Sequence, residues 1–497
     1  MGLAKFFLIP SSGVLAIPIS LMSLNTEIDD EIVLATYQSY ISSDIADEAF
    51  NDYSLKTIYF ENDKEVFNGF ASGAFDLAIL SSSTLEEAIS KNLAKKIEWS
   101  KFTSIKDKLE NGHTNGGGGA GQQGNISDKL GKLYSPVVSK FFKNSPQLAE
   151  YGVPYFISYF AFAYRGKKEW GENGSLTTAS TTSSDSSSTS TTQKPMSWNE
   201  LIEKISKDSR FKSDDKPKLG MVEDELTLFS LSKLSSKNDS SQIEKLFEKE
   251  IKQSEDDFYN QYMKINEAGI NKTGLGERPL FFSPDSVVLS EELSSGDLEG
   301  IFFYNGDALY AHQLLKEEKS KNTEETTSQE IHIVPLSPAL WFLDSIVISS
   351  KSSPSKEARI YEFLEKLSFK NFDKLSELDR QEELGGDSED KEEGDKERPQ
   401  WLLGNFMEIG YTPVLQDFNK WIKGEKPPKS PPEPPEGEGD FYKKEKEFLY
   451  GNPDIEKCLA QQPPNNGQQC SIVFEGGLND SQNLNLALAF ERWKNNF

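Results

Sequence analysis

Two short stretches of the sequence place a carboxylate beside aromatic residues at or near the end of an apolar run. Residues 338–349 read PALWFLDSIVIS, and residues 302–313 read FFYNGDALYAHQ. The first holds Asp344 inside a strand-like run, and the second has Asp307 just after Tyr304. An aromatic face beside a carboxylate can hold an organic ammonium group through cation–π attraction and a charge-assisted hydrogen bond.

Strand spacing supports this pairing, because alternate side chains of a strand point to the same face. Phe342 and Asp344 then share one face, and Trp341 and Leu343 share the other. A structural alternative remains open, in which Asp344 accepts hydrogen bonds from backbone donors or pairs with an arginine. A lone buried carboxylate requires some such partner, since burying an unpaired charge is costly.

Other polar or aromatic residues also stand at predicted strand ends. Tyr37 follows VLAT, Ser81 lies within DLAILSSS, and Asp224 follows the short strand of MVED. Asp224 and Asp307 each have a simpler explanation as the N-cap of the helix that follows. Together with Tyr304, Asp307 and Asp344, these residues indicate one ligand site.

The elements that must position these residues alternate between strands and helices over most of the chain. Strand-like IVLAT, LKTIYF, DLAIL, GIFFY and WFLDSIVIS are separated by helix-like segments such as DKEVFNGFASG and SKEARIYEFLEKLSF. This order predicts an α/β fold built on parallel strands, with ligands in a crevice at the strand carboxyl ends. Four low-complexity stretches interrupt the pattern and are predicted to be surface insertions: 111–125, 175–193, 380–398 and 426–440.

Composition excludes several classes of function. The net charge of −26 argues against nucleic acid as a partner, which requires a basic face. The three histidines and two cysteines have no spacing typical of a zinc, haem or iron–sulfur site, so no metal and no cofactor is expected. Cys458 and Cys470 flank a turn-rich segment and could form a disulfide in an oxidising compartment. No catalytic Ser-His-Asp or Cys-His arrangement and no phosphate-binding loop is evident, so we do not expect an enzyme.

The N-terminal region contains 19 uncharged residues, 6–24, followed by acidic NTEIDDE. This length suits a single membrane span, although Pro10 and Pro18 would bend it. A cleaved secretory signal is the alternative, but no small-x-small cleavage site follows. No cysteine follows either, which argues against lipid anchoring. We therefore expect an extracytoplasmic protein anchored by residues 6–24.

The order of these stretches resembles the spermidine/putrescine-binding component of bacterial polyamine ABC transporters. The resemblance covers about residues 32–415 outside the insertions, and 301–368 is its most specific part. It rests on IVLATYQSYI, ASGAFDLAILSSS, YGVPYFISYFAFAYRG, SWNELIEKI, LGMVEDELTLFSLSKL, IFFYNGDALYAHQ, ALWFLDSIVIS and IGYTPVLQ. It implies two α/β lobes joined by crossover strands, with a polyamine held in the cleft between them.

The resemblance also assigns roles to particular residues. Asp344 matches the ligand-binding aspartate of an aromatic-x-Asp-Ser motif, and the implied ligand-binding set is Asp344, Asp307, Phe342, Tyr304, Asp224, Tyr37, Ser81 and Tyr411. Four positions depart from the family pattern. Tyr304 and Tyr37 replace tryptophans, Ser83 replaces a tyrosine, and Thr227 replaces an acidic residue three positions after Asp224. One amine site is therefore intact, while the far end of the cleft has less negative charge.

The resemblance implies a solute-binding subunit that delivers its ligand to membrane permease subunits driven by a cytoplasmic ATPase. Two alternatives stay open: a scaffold subunit that has lost tight binding, and a binding protein for another small cationic solute.

The predicted organisation is an anchor or signal at 1–28, a first lobe at 29–155, a second lobe at 156–340 with an insertion at 172–195, a return to the first lobe at 341–425, a proline-rich segment at 426–440 and a C-terminal segment of uncertain placement at 441–497.

Overall fold

A computed structural model gives the architecture of most of the chain. It describes residues 31–60, 63–110, 125–166, 196–212, 216–235, 254–267, 270–271, 274–275, 280–321, 330–377, 399–423, 448–450 and 472–495. The predicted anchor at 6–24, the four insertions (apart from Asn125) and the cysteine pair lie outside these residues.

The strands of the described part form one large mixed sheet and one short hairpin. Their bounds are β1 Ile32–Thr36, β2 Leu55–Tyr59, β3 Leu77–Ser81, β4 Gly152–Gly166, β5 Met196–Ser197, β6 Leu219–Val222, β7 Ile270–Asn271, β8 Gly274–Leu275, β9 Leu280–Ser283, β10 Gly300–Tyr304, β11 Glu330–Ser337, β12 Ala339–Ile348, β13 Thr412–Pro413 and β14 Ile472–Phe474. The main path of the sheet runs β2-β1-β3-β12-β4-β10-β6-β9, and β7 pairs with β8.

The helices pack around this sheet. Their bounds are α1 Ser43–Tyr53, α2 Asp63–Ser72, α3 Ser82–Ser90, α4 Lys106–Glu110, α5 Ile126–Leu130, α6 Pro136–Asn144, α7 Gln147–Tyr151, α8 Trp198–Lys207, α9 Glu225–Ser235, α10 Glu255–Glu267, α11 Ser286–Ser295, α12 Asn305–Lys321, α13 Glu357–Ser368, α14 Gln400–Ile409, α15 Gln416–Lys423 and α16 Asp480–Asn495. Short 3-10 turns occupy Trp99–Lys101, Ser209–Phe211, Pro354–Lys356 and Phe372–Glu377.

Local sequence signals explain where several helices begin and end. Ser197 starts α8 with a capping box, in which its hydroxyl accepts from the Glu200 amide while the Glu200 carboxylate accepts from the Ser197 amide. Asp224 caps α9, because its Oδ1 accepts from the Thr227 amide at 2.6 Å. Asp307, in contrast, is not the N-cap of the helix that contains it. Helix α12 begins at Asn305, so Asp307 lies inside its first turn.

The long strand β4 joins the two halves of the sheet. The parallel strands β1, β2 and β3 form one half, which we call the first lobe together with the helices packed on it. Strands β6, β9 and β10 are also parallel and form the second lobe with their helices. The antiparallel strand β4 pairs with β12 through Gly152–Tyr159 and with β10 through Phe160–Tyr164. β4 therefore belongs to both lobes, and it carries their connection.

The predicted fold class is confirmed, since the described chain is an α/β protein with two lobes joined by crossover strands. The exact domain boundaries stay a prediction. The segment after residue 440, which the sequence left unplaced, contributes β14 and α16 to the folded core, where Trp493 is 1% exposed. Among the residues that the structure describes, no helix combines the length and hydropathy needed to cross a bilayer.

Candidate functional site

Asp344 lies at the centre of the sheet, where the two lobes meet. Its backbone is the register partner of Ser81 in β3 on one side and of Phe156 in β4 on the other. The register of β12 against β4 shifts between Asp344 and Ser345, which marks a bulge at this position. Bulges often redirect a side chain next to a functional site.

The Asp344 carboxylate is 4% exposed and accepts a hydrogen bond from the Tyr40 hydroxyl at 2.9 Å. Further hydrogen bonds fix Tyr40 itself. The Tyr155 hydroxyl donates to the Tyr40 carbonyl at 2.8 Å, and the Asn405 amide donates to the Tyr155 hydroxyl at 2.6 Å. Three separate parts of the first lobe thus hold one donor against Asp344.

Asp307 occupies a similar environment on the second lobe. It is 7% exposed, and its Oδ1 accepts from the Tyr411 hydroxyl at 3.0 Å. Its other oxygen, Oδ2, is buried and has no hydrogen-bond partner among the described residues. Burial raises the pKa of Asp307 to about 7, while the Tyr411 and Ser286 hydroxyls act in the opposite direction. A larger fraction of this carboxyl is therefore protonated at neutral pH than of an exposed aspartate.

Aromatic rings connect the two carboxylates. The ring of Tyr40 lies 5.2 Å from that of Tyr411 and 5.3 Å from that of Tyr37, measured between centroids. The Tyr304 ring meets that of Phe342 edge-on at 5.1 Å. Burial is the main cause that raises the pKa of Tyr40, Tyr304 and Tyr411 well above the ordinary tyrosine value. Their hydroxyls consequently remain protonated donors at physiological pH.

Gly306 allows Tyr411 to approach Asp307. A Cβ atom at this glycine would lie 2.3 Å from Cδ1 of Tyr411, which is far inside van der Waals contact. The first turn of α12 and the Tyr411 ring therefore pack directly against each other. Tyr411 itself precedes β13, which pairs with β4 at Ile157 and Phe156. The crossover strand thus determines where this hydroxyl stands.

A third polar group lies beyond Tyr304. The Thr227 hydroxyl is 3.3 Å from that of Tyr304 and donates to Oε1 of Glu475 at 3.1 Å. Glu475 follows β14 and is 9% exposed. Asp224 adds negative charge here, since both Asp224 and Glu475 raise the pKa of Tyr304. The C-terminal segment therefore places a carboxylate next to Thr227, the position at which the resemblance implies an acidic residue.

Most of the residues predicted for the site come together. Asp344, Asp307, Tyr37 and Tyr411 are linked through Tyr40. Tyr304 packs on Phe342, and Thr227 links Tyr304 to Asp224. The two groups lie near each other, because the charge of Asp307 raises the pKa of Tyr304. Ser81 neighbours Asp344 in the sheet, but its hydroxyl caps α3 and bonds to the hydroxyls of Ser83 and Thr84. That the eight residues predicted from the sequence bind a ligand stays a prediction.

The sequence interpretation missed two members of the cluster, Tyr40 and Glu475. Tyr40 lies in the quoted stretch IVLATYQSYI, but it follows the end of β1. Strand periodicity therefore does not predict to which side its side chain points. Glu475 had a usable signal, because IVFEGG repeats the arrangement of an apolar strand followed by an aromatic and a carboxylate. Among the described residues, no group of three or more His, Cys, Asp or Glu is arranged to hold a metal ion.

A structural carboxylate elsewhere in the protein gives a useful contrast. Asp76 is 2% exposed and accepts from the Lys356 ammonium at 3.0 Å, from the Val33 amide at 3.1 Å and from the Ser352 hydroxyl at 2.8 Å. That set supplies a full compensating charge. By contrast, Asp344 accepts from the Tyr40 hydroxyl, and Asp307 interacts with the Tyr411 and Ser286 hydroxyls. Burial raises the pKa of Asp307, so a bound cation would stabilise the ionised form of this carboxylate.

These features define a two-lobed α/β protein with buried carboxylates and tyrosines where the lobes meet. The chain belongs to the hypothetical lipoprotein family described as the MG045 family, whose model matches residues 7–424. Comparison of the sequence with curated proteins finds no match.

Solved structures that resemble the chain include binding components of ABC transporters. The spermidine/putrescine ABC transporter substrate-binding protein PotD of Streptococcus pneumoniae is 12% identical, with 94% of this chain and 98% of that chain covered and a TM-score of 0.47. A putative spermidine/putrescine ABC transporter protein of Listeria monocytogenes is 10% identical, with 94% and 100% covered and a TM-score of 0.48. The Atu4243-GABA receptor is 11% identical, with 93% and 96% covered and a TM-score of 0.43. Spermidine/putrescine ABC transporter proteins are thus among the structures to which this chain is similar.

Proposed function

We propose that this protein is the solute-binding subunit of an ABC importer and that it captures a polyamine between its two lobes. The observation that carries the proposal is the pair of buried carboxylates, Asp344 and Asp307, which are joined through the packed rings of Tyr40 and Tyr411. Asp344 is hydrogen-bonded to Tyr40 of the first lobe, and Asp307 belongs to α12 of the second lobe. A diamine or triamine would pair one ammonium with each and so connect the lobes.

The aromatic residues of the cluster would complete this site. An ammonium placed between Tyr304, Phe342 and the Tyr40–Tyr411 pair gains cation–π attraction in addition to its ion pairs. The low-dielectric surroundings strengthen those ion pairs relative to water. Because the amines bridge both lobes, the ligand stabilises the closed arrangement over an open one. The tyrosine hydroxyls would keep each carboxylate hydrogen-bonded while the site is empty.

The same proposal places the protein outside the cytoplasm. Residues 6–24 would anchor it, the closed form would dock on permease subunits, and a cytoplasmic ATPase would drive release. Membrane attachment raises the effective concentration of the binding protein at the permease. The family description as a lipoprotein agrees with attachment at a membrane. The only cysteines of this sequence, Cys458 and Cys470, lie far from the hydrophobic residues 6–24. We therefore propose that the hydrophobic segment itself, and not a lipid on a cysteine, attaches this chain to the membrane.

The direct test is ligand-dependent stabilisation of residues 29–497. We expect spermidine or putrescine at 100 times its dissociation constant to raise the free energy of unfolding by about 2.7 kcal/mol. Thermal unfolding detects this shift, and titration calorimetry gives the affinity and stoichiometry. A single site per chain is expected. The neutral alcohol 1,4-butanediol, which matches putrescine in length, serves as the control ligand and should give no shift.

The pKa of Asp307 predicts how binding depends on pH. An ammonium prefers the ionised carboxylate, so affinity should fall as pH drops through about 7, by about tenfold between pH 8 and pH 6. The ligand ammonium groups, like that of lysine, stay charged over this range. Calorimetry at pH 6, 7 and 8 measures the slope. In Asp307→Asn the slope should disappear, and a slope that survives in this variant would assign the titration to another group.

The same pKa has the opposite consequence for the unliganded protein. Its folded value of about 7 lies above the ordinary carboxyl value, so the folded state holds a proton that the unfolded state releases. The contribution of Asp307 to the free energy of unfolding therefore falls as pH rises from about 4 to about 7. Saturating ligand should cancel this decrease, since it compensates the carboxylate charge.

A scaffold subunit without tight binding is the second candidate. The observation that favours it is the tyrosine set itself, because Tyr40 and Tyr411 already satisfy one oxygen of each carboxylate. Under that alternative neither amine shifts the unfolding temperature at any pH. Binding of another small cation with no response to either polyamine would instead favour a different solute.

A further inference from the structure

The C-terminal segment 472–495 crosses from one lobe to the other beside the candidate site. Its strand β14 runs parallel to β12, pairing Ile472–Phe474 with Ala339–Trp341. The next residues bind the first lobe through α3: the Gly477 amide donates to Glu86, the Asn483 amide donates to Glu87, and Lys91 pairs with Asp480. The ring of Phe474 also packs on Phe141.

The remainder of the segment binds the second lobe. The rings of Phe490 and Trp493 pack on Tyr262 with centroids 5.5 and 5.8 Å apart, and Trp493 also meets Phe282. Arg492 pairs with Asp256 and Glu255, and Lys494 pairs with Glu223. Glu475 is therefore held from both sides, by β14 before it and by α16 after it.

This placement brings Glu475 to the polar end of the aromatic cluster. Its Oε1 accepts from Thr227, whose hydroxyl also contacts that of Tyr304, and Tyr304 packs on Phe342. Phe342 and Asp344 lie two residues apart on β12. Contacts thus link Glu475 through Thr227 and Tyr304 to Phe342, which lies on the same strand as Asp344. The buried Oδ2 of Asp307, which has no hydrogen-bond partner among the described residues, is an independent sign of an incomplete polar site in this cluster.

We propose that Glu475 is a further ligand-binding residue of this site and that it makes the site selective for a linear triamine over a diamine. The inference rests on the proposed function and deepens it. Asp344 and Asp307 suffice for two ammonium groups, and Glu475 adds a third carboxylate beyond Tyr304. The segment that supplies it lies after residue 424, where the family match ends. Selectivity would then come from a part of the chain outside the two lobes themselves.

Glu475→Gln tests this assignment, because glutamine keeps the shape and can still accept the Thr227 hydrogen bond while the charge is lost. We expect spermidine, the triamine, to bind about tenfold more weakly, a loss of about 1.4 kcal/mol. Putrescine, the diamine, should change by less than about threefold. The matched control is Glu491→Gln on α16, whose side chain is 63% exposed; it should leave both affinities unchanged.

The outcomes separate the two hypotheses. If the unmodified protein binds a polyamine and Glu475→Gln binds spermidine and putrescine with unchanged affinities, the role of Glu475 is refuted and the proposed function stands. Equal weakening for both amines, accompanied by a lower unfolding temperature, would show that Glu475 only supports packing. If the unmodified protein binds neither amine, the proposed function and this assignment both fail.

Discussion

Asp344→Asn should weaken the binding of spermidine and putrescine by about 30-fold or more, since removing one charge of a buried ion pair costs about 2–5 kcal/mol. The fold should tolerate the change. Asparagine can still accept the hydrogen bond of the Tyr40 hydroxyl, which stands 2.9 Å from Oδ2. We therefore expect the free energy of unliganded unfolding to stay within about 1 kcal/mol of the unmodified protein. Calorimetric titration and chemical denaturation measure the two effects separately.

Asp47→Asn is the matched control for this prediction. Asp47 lies on α1 with an exposed side chain, so the same chemical change there removes one negative charge from the first lobe without touching the site. Its affinities should equal those of the unmodified protein. If Asp344→Asn unfolds the protein or leaves ligand affinity unchanged, Asp344 is a structural residue.

Lys356→Met should have the largest effect on stability, a loss of about 3–5 kcal/mol, because it leaves the Asp76 carboxylate buried without a countercharge. The pair is held at 3.0 Å with Asp76 2% and Lys356 9% exposed. Methionine fills a similar volume, so the loss reports the missing charge more than missing packing. Urea denaturation at constant pH gives the change in unfolding free energy, with an unchanged slope expected.

Two companion variants sharpen this prediction. Lys207→Met removes one partner of an exposed pair with Glu203 on α8 and should change stability by less than about 1 kcal/mol. Asp76→Asn combined with Lys356→Met removes both charges and should recover much of the stability lost in Lys356→Met alone. A small effect of Lys356→Met would mean that the Val33 amide and the Ser352 hydroxyl are enough for Asp76.

Taken together, these variants compare two kinds of buried carboxylate in one protein. Asp76 forms an ion pair with Lys356 and stabilises the fold, so losing either charge should change the free energy of unfolding. Asp344 accepts a hydrogen bond from Tyr40 and is proposed to bind a ligand, so neutralising it should change the ligand affinity. A protein whose site residues behaved like Asp76 would be a scaffold. The opposite pattern would identify a polyamine-binding subunit.

The sequence by itself determined the fold class and the order of elements. Apolar runs such as GIFFY and DLAIL, alternating with capped amphipathic segments, report local burial, and the described strands and helices follow them closely. The cap at Asp224 was also readable, because capping is a contact over three residues. The start of α12 was not, since the turn signal Asn305-Gly306 competes with contacts made by distant residues. Asn305 is fully buried and bonds to Tyr159, Thr412 and Phe448.

Only the tertiary structure decided what each carboxylate meets. Tyr40 and Asp344 are 304 positions apart, and Thr227 and Glu475 are 248 apart. Such pairings depend on the crossover of β4 and β12 and on the return of β14 to the sheet, and no local pattern encodes them. The sequence could place a carboxylate beside an aromatic ring on one strand face. The packing of the two lobes against each other determines whether a lysine, a tyrosine or a ligand amine pairs with that carboxylate.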